Sequence, residues 1–181
     1  MNSYSFIERN SERLLVDNDL LSAPVNVTAL AKKLNIVLKS KDLDDNVSGV
    51  FFGKDDKKVI VINKSQGKKR KRFSIAHEIG HCVLHHENNP YFIDKVSFHF
   101  RNGVSSSGED KMEREANHFG AALLMPRSLV DSEISNLRLV ENSVNPIKEL
   151  AKIFDVSEIA MAYRLANLGY QFGEEFFPSK K

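Results

Sequence analysis

The segment His77-Glu78-Ile79-Gly80-His81 spells H-E-x-x-H, a spacing with a mechanical reason. On an α-helix, residues four apart lie one turn above each other on the same face. Two imidazoles so placed can bind one metal ion from the same side. Glu78 sits one step round from His77, where it can reach a water at such an ion and act as general base. The chemistry would be metal-assisted hydrolysis of an amide bond. From Arg72 to His85 the apolar residues are Phe73, Ile75, Ala76, Ile79, Val83 and Leu84, a helix packed on most sides. Two histidines and a glutamate on a buried helix need a reason, and a metal is one. The plainer alternative is a surface helix whose polar residues are merely solvated.

Catalytic zinc takes three protein ligands and leaves a position for water, so two histidines are not enough. The extended motif H-E-x-x-H-x-x-G-x-x-H is excluded, because Leu84 and Glu87 stand where it needs glycine and histidine. His85 continues the stripe, but it lies about 12 Å along the axis from His77. An acid on a second helix fits better, and Met112–Met125 offers Glu113 and Glu115. These are roughly 200° apart on a helix, so only one can face the metal. Glu113 shares its face with Ala116, Asn117, Gly120 and Leu124. The small residues let another helix approach, and Asn117 could hydrogen-bond a ligand histidine. Glu113 is therefore favoured, with Glu115 beside Arg114 the more ordinary solvated acid.

The elements that must position these residues follow from pattern. An amphipathic helix is expected over Tyr4–Val16, and a short one over Val27–Leu34 capped by Asn26. Three strands are expected at Ile36–Lys39, Ser48–Phe52 and Val59–Ile62, with a hairpin loop over Gly53–Lys58. The motif helix runs from about Lys69 to His86, and Val96–Arg101 alternates as a further strand. Helices follow over Glu109–Leu124, Arg127–Leu139, Pro146–Phe154 and up to Leu168, the last capped by Gly169. The class is α+β: a small three- to four-stranded sheet packed on helices, with a helical C-terminal part. We expect one metalloprotease domain over 1–181, with a metal-bearing core at 27–126 and a helix-turn-helix-like subdomain at 127–170. A net charge of +2 gives no global push toward nucleic acid or membrane. A single cysteine, Cys82, allows no internal disulfide, and no signal-peptide or membrane-spanning run is visible. These features favour the cytoplasm.

The chain resembles the ImmA/IrrE family of metallo-endopeptidases. The matching pieces are Arg72–His81, Phe98–Arg101, Glu113-Arg114-Glu115-Ala116-Asn117, Leu123–Pro126 and Leu150–Ser157 with Arg164-Leu165. The combination of H-E-x-x-H with E-x-x-A-N and L-L-M-P is far more specific than the first motif alone. The resemblance implies a zincin-like fold and one zinc ion held by His77, His81 and Glu113, with Glu78 as catalytic base. It implies a cytoplasmic protease that cleaves a helix-turn-helix transcriptional repressor, often one guarding a prophage or mobile element. Some members sit in toxin–antitoxin loci. Gly120 stands where alanine is commoner.

An anionic tetrahedral intermediate needs a donor besides the metal, and His99 and Arg101 on the polar face of their strand are candidates. Val59–Ile62 could pair with an extended substrate or be an ordinary core strand. The run Lys68–Arg72 could meet DNA or an acidic surface, but a solvated run is the simpler reading. Arg164 is the lone basic residue of the last helix, so packing is favoured there over direct nucleic-acid binding. Cys82 reads as a small buried thiol. The contrasting function is a non-catalytic protein that captures a repressor or DNA.

Overall fold

The computed structural model describes residues 3–54, 57–84, 91–95, 108–138 and 145–170. They divide into two compact units, Asn26–Gly120 and a second made of Met1–Val25 with Ala121–Lys181. The fold is α+β, with seven helices and a small mixed sheet among the described residues.

Helix α1 (Ser3–Asp17) belongs to the second unit, and the first opens with α2 (Val27–Lys33). Asn26 caps it by accepting from the Ala29 amide, which satisfies one of the donors left open at a helix start. Asn35, at φ 57°, turns the chain into β1 (Ile36–Lys41). β2 (Val47–Lys54) and β3 (Lys57–Asn63) form an antiparallel hairpin paired out to Lys54 and Lys57. The strands thus extend into the charged stretch expected to be loop. β4 (Tyr91–Lys95) pairs antiparallel with β2, and the strand order is β1-β3-β2-β4. β1 lies parallel to β3.

This order settles one open reading. β3, which contains Val59–Ile62, is an interior strand with a partner on each side, so its backbone is committed to the sheet. Substrate pairing along it is excluded. β4 was not foreseen, and the strand expected at Val96–Arg101 lies outside the described residues.

Gly49, Phe51, Ile60 and Ile62 share one sheet face, because Gly49 pairs with Ile62 and Phe51 with Ile60. Against β2 and β3 packs α3 (Lys68–Val83), the motif helix. Its entry is held by Asn63, whose side-chain amide donates to the carbonyls of Leu43, Asp44 and Val47. The Asn63 side-chain oxygen Oδ1 accepts from the amide and the hydroxyl of Ser65. The start of α3 has Gly67 as N-cap, no capping side chain and no acid in its first turn. Its basic run is not uniformly solvated: Lys68 and Lys69 are exposed, while Arg70 bonds Ser48 of β2.

The second unit contains α1 (Ser3–Asp17), the end of α4 (Gly108–Leu124), α5 (Arg127–Arg138), α6 (Pro146–Ile153) and α7 (Glu158–Asn167). Asn145 caps α6 with Pro146 in its first turn, and Ser157 caps α7. Gly169, at φ 88°, ends α7 in the left-handed conformation that glycine adopts without penalty. Arg164 is 1% exposed. It donates from Nε to the Met125 carbonyl at 2.9 Å and makes a two-pronged pair with Glu8 of α1. Its charge is spent inside the unit, as packing rather than phosphate binding requires.

Candidate metal centre

Two helices build the site, and small residues let them approach. A Cβ added at Gly120 of α4 would stand 3.2 Å from the His77 backbone nitrogen and 3.4 Å from its Cα. One added at Gly80 of α3 would stand 3.3 Å from the Ala116 Cα and 3.1 Å from the Phe119 ring. Each glycine therefore lies against the other helix, which is the role expected of Gly120. Glu113 lies two turns before Gly120, so the same close approach carries its carboxylate to α3.

His77 and His81 are both nearly fully buried. Their Nε2 atoms are 3.0 Å apart, with the rings edge-on at 72°. Glu113 Oε2 lies 3.3 Å from His77 Nε2, and Oε1 lies 3.3 Å from His81 Nε2. Among the described residues, these three can offer ligand atoms all within 4.8 Å of one another. Glu115 is not part of the group; Lys111 Nζ lies 3.9 Å from its carboxylate.

Asn117 Oδ1 lies 3.1 Å from His77 Nδ1. With that oxygen accepting, the proton sits on Nδ1 and the Nε2 lone pair faces Glu113 and His81. A lone pair and a carboxylate 3.3 Å apart repel unless a cation, proton or metal, lies between them. Zinc–ligand bonds of about 2.0–2.1 Å at tetrahedral angles put neighbouring donors about 3.3–3.4 Å apart. The observed separations of 3.0, 3.3 and 3.3 Å are close to those edges. The donor set thus fits a single small divalent cation.

Electrostatics agree. Burial raises the Glu113 pKa, but hydrogen bonds from His77 and His81, and the charge those rings carry when protonated, outweigh it. The carboxyl is held at about 2 against an ordinary 4.5. The lowering requires the two rings to donate, so it belongs to the metal-free state in which protons fill the place a cation would take.

Glu78 is fully buried on α3, against Gly49 of β2. Gly49 was missed at sequence level, although a glycine inside a strand pattern is a signal of close approach. Cys82 is a buried thiol in no disulfide, as expected. His99 and Arg101 lie outside the described residues, as does His85.

Residues 31–166 match the peptidase M78 family, described as the IrrE N-terminal-like domain. The chain belongs to this ImmA/IrrE peptidase family. It is 30% identical over 139 residues to "Uncharacterized immunity region protein 2" of Bacillus phage phi105, covering 74% of this chain and 82% of that protein. It is 32% identical over 108 residues to the radiation response metalloprotease IrrE of Deinococcus deserti, covering 60% of this chain and 36% of that one. Among solved structures, a Mycobacterium tuberculosis transcriptional regulator matches with a TM-score of 0.62 at 18% identity. That match covers 90% of this chain and 46% of the regulator, and it is a likeness of fold. The ImmA/IrrE chain described here thus spans less than half of each of the last two proteins. No helix among its described residues is long and apolar enough to cross a membrane.

Proposed function

We propose that this ImmA/IrrE chain is a zinc-dependent endopeptidase that cuts a regulatory protein, a helix-turn-helix repressor of a prophage or mobile element, in the cytoplasm. The observation that carries the chemistry is the convergence of His77 Nε2, His81 Nε2 and the Glu113 carboxylate at 3.0–3.3 Å. His77, His81 and Glu113 would hold the ion, and zinc suits a set of two imidazoles and one carboxylate. When bound, it supplies Lewis acidity toward a peptide carbonyl and toward the attacking water.

The rest falls to this chain's own side chains. Glu78 takes the proton of the water as it attacks the carbonyl carbon, and then gives it to the leaving amine. Asn117 holds the His77 ring with its Nε2 lone pair turned inward. His99 and Arg101 remain the proposed donors to the oxyanion. The substrate class is supported by the family and by the phage relative, whose name places that protein in an immunity region.

The test is a Glu78→Gln variant, assayed with and without chelator on any helix-turn-helix repressor found encoded beside this chain. It should keep its zinc and lose cleavage. Cleavage at the parental rate would remove Glu78 from the mechanism. Capture of the repressor by both proteins without cleavage would favour a binding role instead.

A further inference from the structure

Strand β2 meets α3 at two consecutive residues, which a regular strand does not permit, because neighbours in a strand point to opposite faces. Ser48 Oγ accepts from Arg70 of α3, 3.1 Å from Nε and also from a terminal guanidinium nitrogen. A Cβ on Gly49 would stand 3.0 Å from Oε1 and 3.4 Å from Cγ of Glu78, on the same helix. The cause lies on the other side of β2. Its pairing with β4 passes from Val47 opposite Lys95 to Gly49 opposite Asp94, so Ser48 is the extra residue of a bulge. A bulge re-aims the side chains around it. Here it turns both Ser48 and Gly49 toward the motif helix.

We propose that Gly49 is a positioning residue for Glu78: the side chain it lacks leaves the seat in which the Glu78 carboxylate lies against β2. The inference rests on the reading of Glu78 as the proton-transferring group. Two of the three atoms nearest the absent Cβ belong to Glu78, and the third is Ile62 Cδ1 at 3.2 Å. All three belong to side chains rather than backbone, and Oε1 is the free end of a flexible one. An alanine at 49 therefore presses on the carboxylate and leaves the strand and helix in place. Arg70 and Ser48 fix the strand on the helix, so the pressure is not relieved by the two elements separating.

The experiment uses the full chain with Gly49→Ala. In a crystal structure of the metal-free variant, Glu78 Oε1 should be displaced from β2 while His77, His81 and Glu113 keep their places. Zinc affinity, measured by chelator competition, should stay within about twofold of the parent, because no donor has moved. On a repressor substrate, kcat should fall about tenfold with KM little changed, because the carboxylate at 3.0 Å has to give only a fraction of the roughly 1 Å misplacement that costs about a hundredfold. In a Glu78→Asp background, whose carboxylate is one methylene short of the strand, Gly49→Ala should cost nothing further. An unmoved Glu78, or a loss of zinc affinity parallel to the loss of kcat, overturns the proposal. So does recovery of kcat when Ile62→Val removes Cδ1, since the pressure would then have passed through Ile62. If the parent protein cuts nothing, the role of Glu78 fails, while the crystal structure and the zinc affinity still decide whether Gly49 seats its carboxylate.

Discussion

Asn117 touches His77 on the side of the ring turned away from the donor cluster, so its removal should weaken metal binding without removing a ligand. The contact is 3.1 Å long and the ring it orients is 2% exposed. Asn117→Ala leaves the imidazole free to take the other tautomer, in which Nε2 carries the proton and cannot bind. Loss of such an orienting contact costs about ten- to a hundredfold in metal affinity. The consequence can be read as stability. At free zinc a thousandfold above the parent's Kd, bound metal stabilises the fold by about 4 kcal/mol, and a hundredfold weaker site by about 1.4 kcal/mol. The difference is a loss of about 5–10 °C in the zinc-dependent part of Tm for a chain of this size. The assay is thermal unfolding with zinc and with chelator, and the quantity compared is the increment between them. That increment separates the metal effect from any cost of the substitution to the metal-free protein. Asn117→Asp, which keeps an acceptor at the same place, should retain most of the increment. Equal increments for parent and Asn117→Ala would refute the orienting role, and so would an Asp variant as weak as the Ala one.

Glu113 is depressed to about 2, so its contribution to the metal-free fold is present above its ordinary 4.5 and is lost as pH falls through 2. Glu113→Gln should therefore destabilise the metal-free protein by about 1 kcal/mol at pH 5, discounted for partial exposure, and by nothing measurable at pH 2 in urea unfolding. Release of zinc on acidification should follow protonation of two histidines and not of Glu113, which a proton-uptake titration checks. Gly→Ala inside a helix ordinarily gains about 0.5–1 kcal/mol, but Gly80→Ala should lower Tm because the new Cβ meets the Ala116 backbone at 3.3 Å. Arg164→Met should cost about 3 kcal/mol in chemical unfolding, because Glu8 loses its partner in a mostly buried pair.

What could be read from the sequence was what depends on spacing within one element. The i, i+4 histidines and the placing of Asn117 one turn after Glu113 follow from helical geometry, and the choice of Glu113 over Glu115 from the small residues that share its face. The caps at Asn26 and Gly169 were legible too, because their partners lie within a few residues. What could not be read depends on partners distant in the chain. The interior place of β3 is decided by β1 pairing across the hairpin, which no local pattern encodes. The significance of Gly49 appears only once Glu78 is laid against it. The solvated reading of the basic run failed at Arg70 for the same reason, since Ser48 is a partner from another strand. β4 at Tyr91–Lys95 is short and has no clean alternation, so no local pattern marked it, while the strand expected at Val96–Arg101 lies outside the described residues.

The donors come from α3 and α4, separated by about thirty residues of chain. Chain ends that far apart find each other only when the intervening structure has brought them together, at a loop-closure cost that the folded state alone offsets. A growing chain therefore exposes H-E-x-x-H well before Glu113 has been synthesised, and a chain opened locally at α4 keeps both histidines yet loses the carboxylate. A centre assembled this way lacks its third donor in any nascent or truncated form that ends before Glu113, and in any form unfolded at α4. Completion of the donor set is then a property of the tertiary structure rather than of the motif.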